Sequence, residues 1–531
     1  MLQAFSGFEE SAVSGISSLV QTMQILEQLA TAADEMVQVQ RDFEFTRVKE
    51  LVEKNAALRP QLAEATARLR NYQPETDEER ELLKLSVHLL NRIKEGDRVF
   101  TIWRGNLEMM RTLGSKMAAQ AINNMAFLSG APPWDVLRNL FEGVPAVVVA
   151  AGPSLDKNFH LLEGIKDKAL IITMNRCARV FQKAGLVPHL LLATDGSDIL
   201  PDTHLAGVGS DILKNLLCRF SVHPKMKQIE RERTFLFTDG SAHERGIYQR
   251  LRKGTLPIGG GSVAHSCFQA AFHLGCEPIV IIGQDLAYSD DRLYSSADVD
   301  SDARLLTTDD GKVAAITGGR RTDGGARGEG VSSGFKLRDI EGWDGGTVQT
   351  NRGFSRHIEY FEALIDLNMT GRTIINSTEG GANIRGMQNI PLADVIAEHM
   401  TETQPDFFKR IEEAHASYES DMSVAETAAE IRKLAQAMNR LERLARDCRK
   451  LVKSPRRDPK MVKRVKKSHV QLRAAYDEVE FLVQDVYLGI KSKRGVPSDQ
   501  WALLEQEFDS IQKATKLLLP ACREAVADLS A

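Results

Sequence analysis

Between residues 144 and 390, short aliphatic runs alternate with amphipathic stretches, a pattern that predicts βαβ units around a mainly parallel sheet. Ala146-Ala150, Leu170-Thr173, Leu190-Ala193, Ile279-Ile282 and Thr373-Ile375 read as strands, with Thr234-Phe237 a weaker sixth. They lack polar alternation, as strands covered on both faces do. Residues 1–140 are poor in glycine, with apolar positions at helical spacing such as Leu51, Leu58 and Leu62. Residues 391–531 carry a heptad-like pattern, Ile431, Leu434, Met438, Leu441, Ala445 and then Val465, Leu472, Tyr476, interrupted by SPRRDPK. That predicts two long helices folded back as an αα-hairpin. The expected organisation is a helical region over 1–140, a Rossmann-like α/β domain over 141–390 and a helical C-terminal domain over 391–531.

Composition narrows the class. The chain has 531 residues, a net charge of -4 and 26% charged residues. That balance argues against a bulk nucleic-acid binder, which needs a basic excess. Its six cysteines contain no C-x-x-C pair, which speaks against a disulfide framework or structural zinc and for a reducing compartment. The start, MLQAFSGFEESAVSG, has neither the basic nor the apolar part of a signal peptide, and no segment has the apolar length of a membrane span. A cytoplasmic protein is the expectation.

The chemistry gathers where strands end. The runs open into Gly152-Pro153-Ser154, Asn175, Asp195, Gly283-Gln284-Asp285 and Asn376-Ser377-Thr378-Glu379, and open α/β sheets bind ligands at that edge. Gly152 spares a ligand a Cβ clash, whereas Pro153 contributes no N–H. A turn with few donors and no Walker lysine suits one phosphate or a sugar edge at a helix N-terminus better than a triphosphate. A second glycine-rich turn, Gly259-Gly260-Gly261, opens a helix at Ser262, with His265 in its first turn. Residues 286–350 form a long polar stretch, and loops of that length are commonly functional. Its end, KLRDIEGWDGGTVQTN, predicts a β-hairpin.

Taken together, VVVAAGPSLDKN, Asn175, Asp195, the GGGSVA to IIGQDLAY block and INSTEGGANIRG resemble the motility accessory factor (Maf) family of flagellin-modifying proteins over roughly residues 120–390. The resemblance implies a sialyltransferase-type fold and transfer of a nonulosonic acid, pseudaminic or legionaminic, from a CMP-sugar to serine or threonine of flagellin. It requires no cofactor, although magnesium remains compatible. The same domain family contains an archaeal 6-hydroxymethylpterin diphosphokinase, for which Asp195 and Asp285 would be magnesium ligands; a flagellin-binding chaperone is a third reading. For the transferase, Gly152, Pro153, Ser154, Asn175, Asp195, Gly260, Gly261, Ser262, Gln284, Tyr288 and Thr378 are expected to bind substrate. The acid–base group is sought among Glu379, Asp285 and His265, with Glu379 favoured because the glycines after it give access.

Overall fold

A computed structural model describes residues 113–251, 261–288, 291–307, 313–318, 335–368, 371–420, 422–455, 458–491 and 499–528, with 22–24, 26–27, 69, 76, 79–87, 89–90 and 93 before them. The chain divides into two compact units, Met1–Gly105 and Asn106–Ala531. In the first, residues 79–87 are helical, and Leu82, Ser86, Leu89 and Ile93 are buried at helical spacing. The apolar positions at Leu51, Leu58 and Leu62 lie outside the described residues.

The second unit is built on β1 (Ala146–Val149), β2 (Leu170–Met174), β3 (Leu190–Ala193), β4 (Asn215–Cys218), β5 (Arg233–Leu236) and β6 (Ile279–Ile282). After them come β7 (Arg304–Thr307), β8 (Val313–Thr317), β9 (Phe335–Glu341), β10 (Thr347–Asn351), β11 (Ile374–Asn376) and β12 (Gln388–Asn389). Eight strands form one parallel sheet in the order β12-β11-β6-β1-β2-β3-β4-β5. The α/β class read from the aliphatic runs is borne out, and the buried faces of β1, β2, β3 and β6 explain their uninterrupted apolar sequence. β4, NLLC, escaped the sequence reading; it is a brief run whose Asn215 is buried by donating its amide to the His189 carbonyl. From β1 the chain steps outward through β2 to β5, then returns with β6 on the other side of β1. That reversal opens a crevice at the carboxyl ends of β1 and β6.

A smaller antiparallel sheet runs β10-β9-β8-β7. It includes the expected hairpin, with Thr347 opposite Glu341. Bridges from Tyr288 to Gln349 and from Arg292 to Arg304 tie it to the segment that follows β6.

Helices α1 (Ala178–Ala184), α2 (Ala242–Leu251), α3 (Val263–His273) and α4 (Arg352–Asn368) belong to this core. Beyond the sheet lie α5 (Leu392–His399), α6 (Phe407–Ala416), α7 (Val424–Lys453), α8 (Pro459–Lys491) and α9 (Gln500–Asp528). A capping box starts α7: Ser423 accepts from the Glu426 amide at 3.2 Å and Glu426 accepts from the Ser423 amide at 2.8 Å. The hairpin expected from the heptads is α7 and α8, but α9 packs along both and makes a three-helix bundle. The bundle is no free arm. Its apolar stripe joins one continuous core with the sheet, and α8 docks on α2.

Gly246 makes that docking possible, because a Cβ there would sit 2.1 Å from the Phe481 ring. Arg250 of α2 adds a hydrogen bond to the Glu478 carbonyl at 2.7 Å. We expect Gly246→Val to destabilise the protein by about 1–3 kcal/mol, the usual cost of overpacking, read as a lowered urea midpoint. An unchanged midpoint would mean the joint has slack. All six cysteines are free and buried.

Candidate functional site

A cleft of about 360 Å³ occupies the crevice at the carboxyl edge. Gly152 and Pro153 after β1, and Gly283, Gln284 and Asp285 after β6, line its base. Asn175 and Asp195, which follow β2 and β3, and Ser262 to Ala264 at the start of α3 line it too. Tyr288, Tyr294, Phe354 and His357 complete it. A larger depression of about 450 Å³, lined by Lys166, His189, Phe407 and Phe408, lies at the amino edge. The smaller cleft is the better candidate, since parallel sheets present ligand sites at their carboxyl ends.

The Gly-Pro-Ser turn holds a carboxyl group. Ser154 donates its hydroxyl to Asp285 Oδ2 at 2.8 Å and its amide to Oδ1 at 3.3 Å, while the Gly152 amide donates to the Gly283 carbonyl at 2.8 Å. A Cβ on Gly152 would lie 1.9 Å from Asp285 Oδ2 and 2.6 Å from the Gly283 oxygen. Glycine is therefore needed here because Asp285 fills the space, which corrects the expectation that it is kept open for a ligand. The helix beyond, Leu155–Asn158, is a single turn, and the amides of Gly152 and Ser154 are already used. The expected phosphate seat at this turn is thus not formed. The longer α3 presents its N-terminal residues Val263 and Ala264 to the cleft instead, and a helix N-terminus favours anions.

Burial pushes the Asp285 carboxyl up to about 6, against the two Ser154 hydrogen bonds that lower it. A folded value above the unfolded one means that ionising Asp285 costs stability as pH rises from about 4 through about 6. The cost at neutral pH is on the order of 3 kcal/mol. Asparagine keeps both Ser154 contacts without the charge. Asp285→Asn should therefore match wild type near pH 4 and be more stable than it at pH 7.5, as thermal melts at the two pH values would record. Lower stability at pH 7.5 would refute this account.

Of the other expected substrate residues, the structure brings Asn175, Asp195, Ser262, Gln284 and Tyr288 to the cleft. Asn175 is buried; its Nδ2 meets His204 Nδ1 at 2.8 Å, and its Oδ1 has no hydrogen-bond partner among the described residues. Asp195 Oδ1 accepts the Ser197 amide at 2.7 Å. The Tyr288 hydroxyl accepts from Asn351 Nδ2 at 2.6 Å. Thr378 is fully buried outside the cleft lining, where its hydroxyl accepts the Gln284 amide at 3.3 Å. Gly261, at φ +75°, lies against His265 rather than in the lining. Gly260 falls outside the described residues.

Two acid–base candidates turn out to be engaged elsewhere. His265 is fully buried: Nδ1 accepts the Ser262 amide at 2.8 Å and Nε2 donates to the His357 carbonyl at 2.9 Å, completing the capping box of α3. Burial holds its ring well below the usual histidine range, so it stays neutral and structural. Glu379 sits at φ +56° and accepts the Leu392 amide at 2.9 Å, capping α5. Its glycines serve packing, since a Cβ on Gly381 would lie 2.2 Å from the Asp285 carbonyl oxygen.

His357 is the residue that sequence reasoning missed. It follows the hairpin in α4 and lines the cleft, and its ring makes no protein hydrogen bond among the described residues. Burial, and then Arg356, hold its ring below the ordinary 6.5. The long polar stretch singled out in the sequence, residues 286–350, contributes Tyr294 to the cleft. Arg176 stacks on Tyr294 at 4.0 Å and pairs with Asp298 at 2.9 Å and Asp300 at 3.1 Å. Asp156 anchors the same segment through Ser295 at 2.6 Å and Arg292 at 2.8 Å.

Residues 119–291 match the family model described as 6-hydroxymethylpterin diphosphokinase MptE-like. The match makes this stretch of the α/β core similar to the MptE-like family. The matched stretch runs from before β1 past β6 and takes in Gly152, Asn175, Asp195, Ser262 and Asp285, so the resemblance read from the sequence motifs is borne out there. Among solved structures the chain is similar to "Structure of MAf glycosyltransferase from Magnetospirillum magneticum AMB-1", at 14% identity and a TM-score of 0.43. The match covers 87% of this chain and 65% of that one. No curated protein matches. His357 lies beyond the MptE-like match, on the α4 side of the cleft. No helix among the described residues is long and apolar enough to cross a membrane.

Proposed function

We propose that this protein is an inverting glycosyltransferase, moving a nonulosonic acid from a CMP-sugar to a serine or threonine of flagellin. The observation that carries the reading is His357, an imidazole whose ring makes no hydrogen bond among the described residues, in the wall of a cleft at the carboxyl edge of the sheet. Held below 6.5, it is neutral at cytosolic pH and able to accept a proton. The acceptor oxygen bonds to the anomeric carbon as the bond from that carbon to the phosphate oxygen breaks. CMP departs with the electron pair, and the hydroxyl proton passes to His357. The N-terminus of α3 faces the charge that grows on the phosphate. Asn175 Oδ1, without a hydrogen-bond partner among the described residues, accepts a ligand hydroxyl or amine, and Asp285 keeps Ser154 and the turn in register.

The pyrophosphokinase reading rests on the similarity of residues 119–291 to the MptE-like diphosphokinase family. Its magnesium finds poor ligands here. Asp285 is bonded twice by Ser154 and raised to about 6, and Asp195 Oδ1 accepts from the Ser197 amide. The purified protein, incubated with CMP-pseudaminic or CMP-legionaminic acid and flagellin, should release CMP and add the sugar mass to flagellin by mass spectrometry. Release of AMP from ATP with hydroxymethylpterin, and no sugar on flagellin, would transfer the assignment to the kinase.

A further inference from the structure

The turn between α7 and α8 carries a charge that the cleft does not use. Residues 449–467 contain ten Lys and Arg against one Asp, a net of +9, while the whole chain is at -4, so the remainder stands at -13. Cations suit the C-terminus of α7 but oppose the positive N-terminus of α8, so helix stability does not account for the cluster. Internal pairing consumes only part of it. Of its members, Lys453 pairs with Glu505 of α9 at 3.3 Å and Arg449 with Asp509 at 2.8 Å, which leaves the cations of α8. Lys460, Lys463, Arg464, Lys466 and Lys467 are exposed and make no ion pair among the described residues.

Their spacing gives the cluster a shape. Met461, Val465 and Leu472 face the bundle core, whereas Lys460, Lys463, Arg464 and Lys467 line the opposite side of α8, followed by Val470, which is 70% exposed. The stripe is about 15 Å long at helical rise.

We propose that this outer face of α8 is a docking surface for an acidic protein segment that carries an apolar side chain to cover Val470. Charge complementarity favours a short segment over a polyanion. A duplex or an anionic bilayer extends beyond the stripe and meets a molecule at -13 elsewhere, and with a Debye length of about 10 Å that repulsion is felt at the rim of the stripe. The inference stands apart from the transferase reading and survives its failure.

The test is fluorescence anisotropy of the full-length protein with a labelled glutamate-rich peptide containing leucine. Wild type should bind it, more weakly as salt rises. Lys463→Glu with Lys467→Glu should lose at least about tenfold in affinity, with an unchanged melting profile because both side chains are exposed. If that variant is unstable, the double glutamine substitution serves with the same direction of effect. Equal affinity of wild type and variant, no binding at all, or tighter binding of a DNA duplex or phosphatidylserine vesicles than of the peptide would each overturn the proposal.

Discussion

His357→Gln should lower transfer by 10²- to 10⁴-fold, the range typical for loss of a general base, while CMP-sugar affinity changes little. The reason is that the imidazole makes no hydrogen bond among the described residues that the amide would have to replace, so its loss removes a proton acceptor and not a support. pH supplies a second readout. Because burial and Arg356 hold the ring below 6.5, the wild-type rate should stay flat from pH 8 down to 6.5 and fall only below it, as the base protonates. Asp285, at about 6, titrates in the same region, so the acid limb must be measured in Asp285→Asn as well. If the limb persists there and vanishes in His357→Gln, the base is His357. Transfer by His357→Gln within about threefold of wild type, well short of that range, would remove it from the role.

Deleting the bundle, residues 424–531, should leave a core that fails to stay folded. Ile431, Leu434, Met438 and Leu441 of α7 are at most 3% exposed, as is Leu518 of α9, and they belong to the same buried cluster as Met125, Ile247 and the sheet. Burying each such side chain is worth about 1.5–3 kcal/mol, so the loss is comparable to the roughly 5–15 kcal/mol of stability typical of a domain. Aggregation on expression, or strong binding of an apolar dye, is the expected result. A soluble truncated core with a sharp melting transition would instead make the bundle an independent domain.

The sheet was legible because its strands are buried on both faces. Val147 to Val149 and Ile279 to Ile282 have no polar alternation to blur, so their runs announce themselves. β4 was lost among loops because Asn215 breaks its pattern, and only the His189 carbonyl explains why an amide sits there. The site was legible in place more than in role. Glycine after β1 reads as space for a ligand until Asp285 is seen in that space, and Glu379 reads as accessible until the Leu392 amide is seen on its carboxylate. His357 lies outside the strand-end motifs, on a helix that reaches the cleft through tertiary packing, and no spacing in the sequence points to it. The third helix of the bundle was hidden for a similar reason: periodicity shows that a helix has an apolar stripe, not which partner covers it.

The buried cysteines turn the protein into its own gauge of local opening. Only a thiolate attacks alkylating reagents, and burial pushes the Cys177 and Cys218 thiols up to about 12 and Cys448 up to about 11. The native chain should therefore be nearly inert to such reagents, and each thiol that reacts marks a segment that has transiently opened. Cys177, Cys218, Cys267 and Cys276 sample the α/β core, and Cys448 and Cys522 the bundle. Peptide mapping after timed alkylation would rank those layers by how often each comes apart, with no probe introduced.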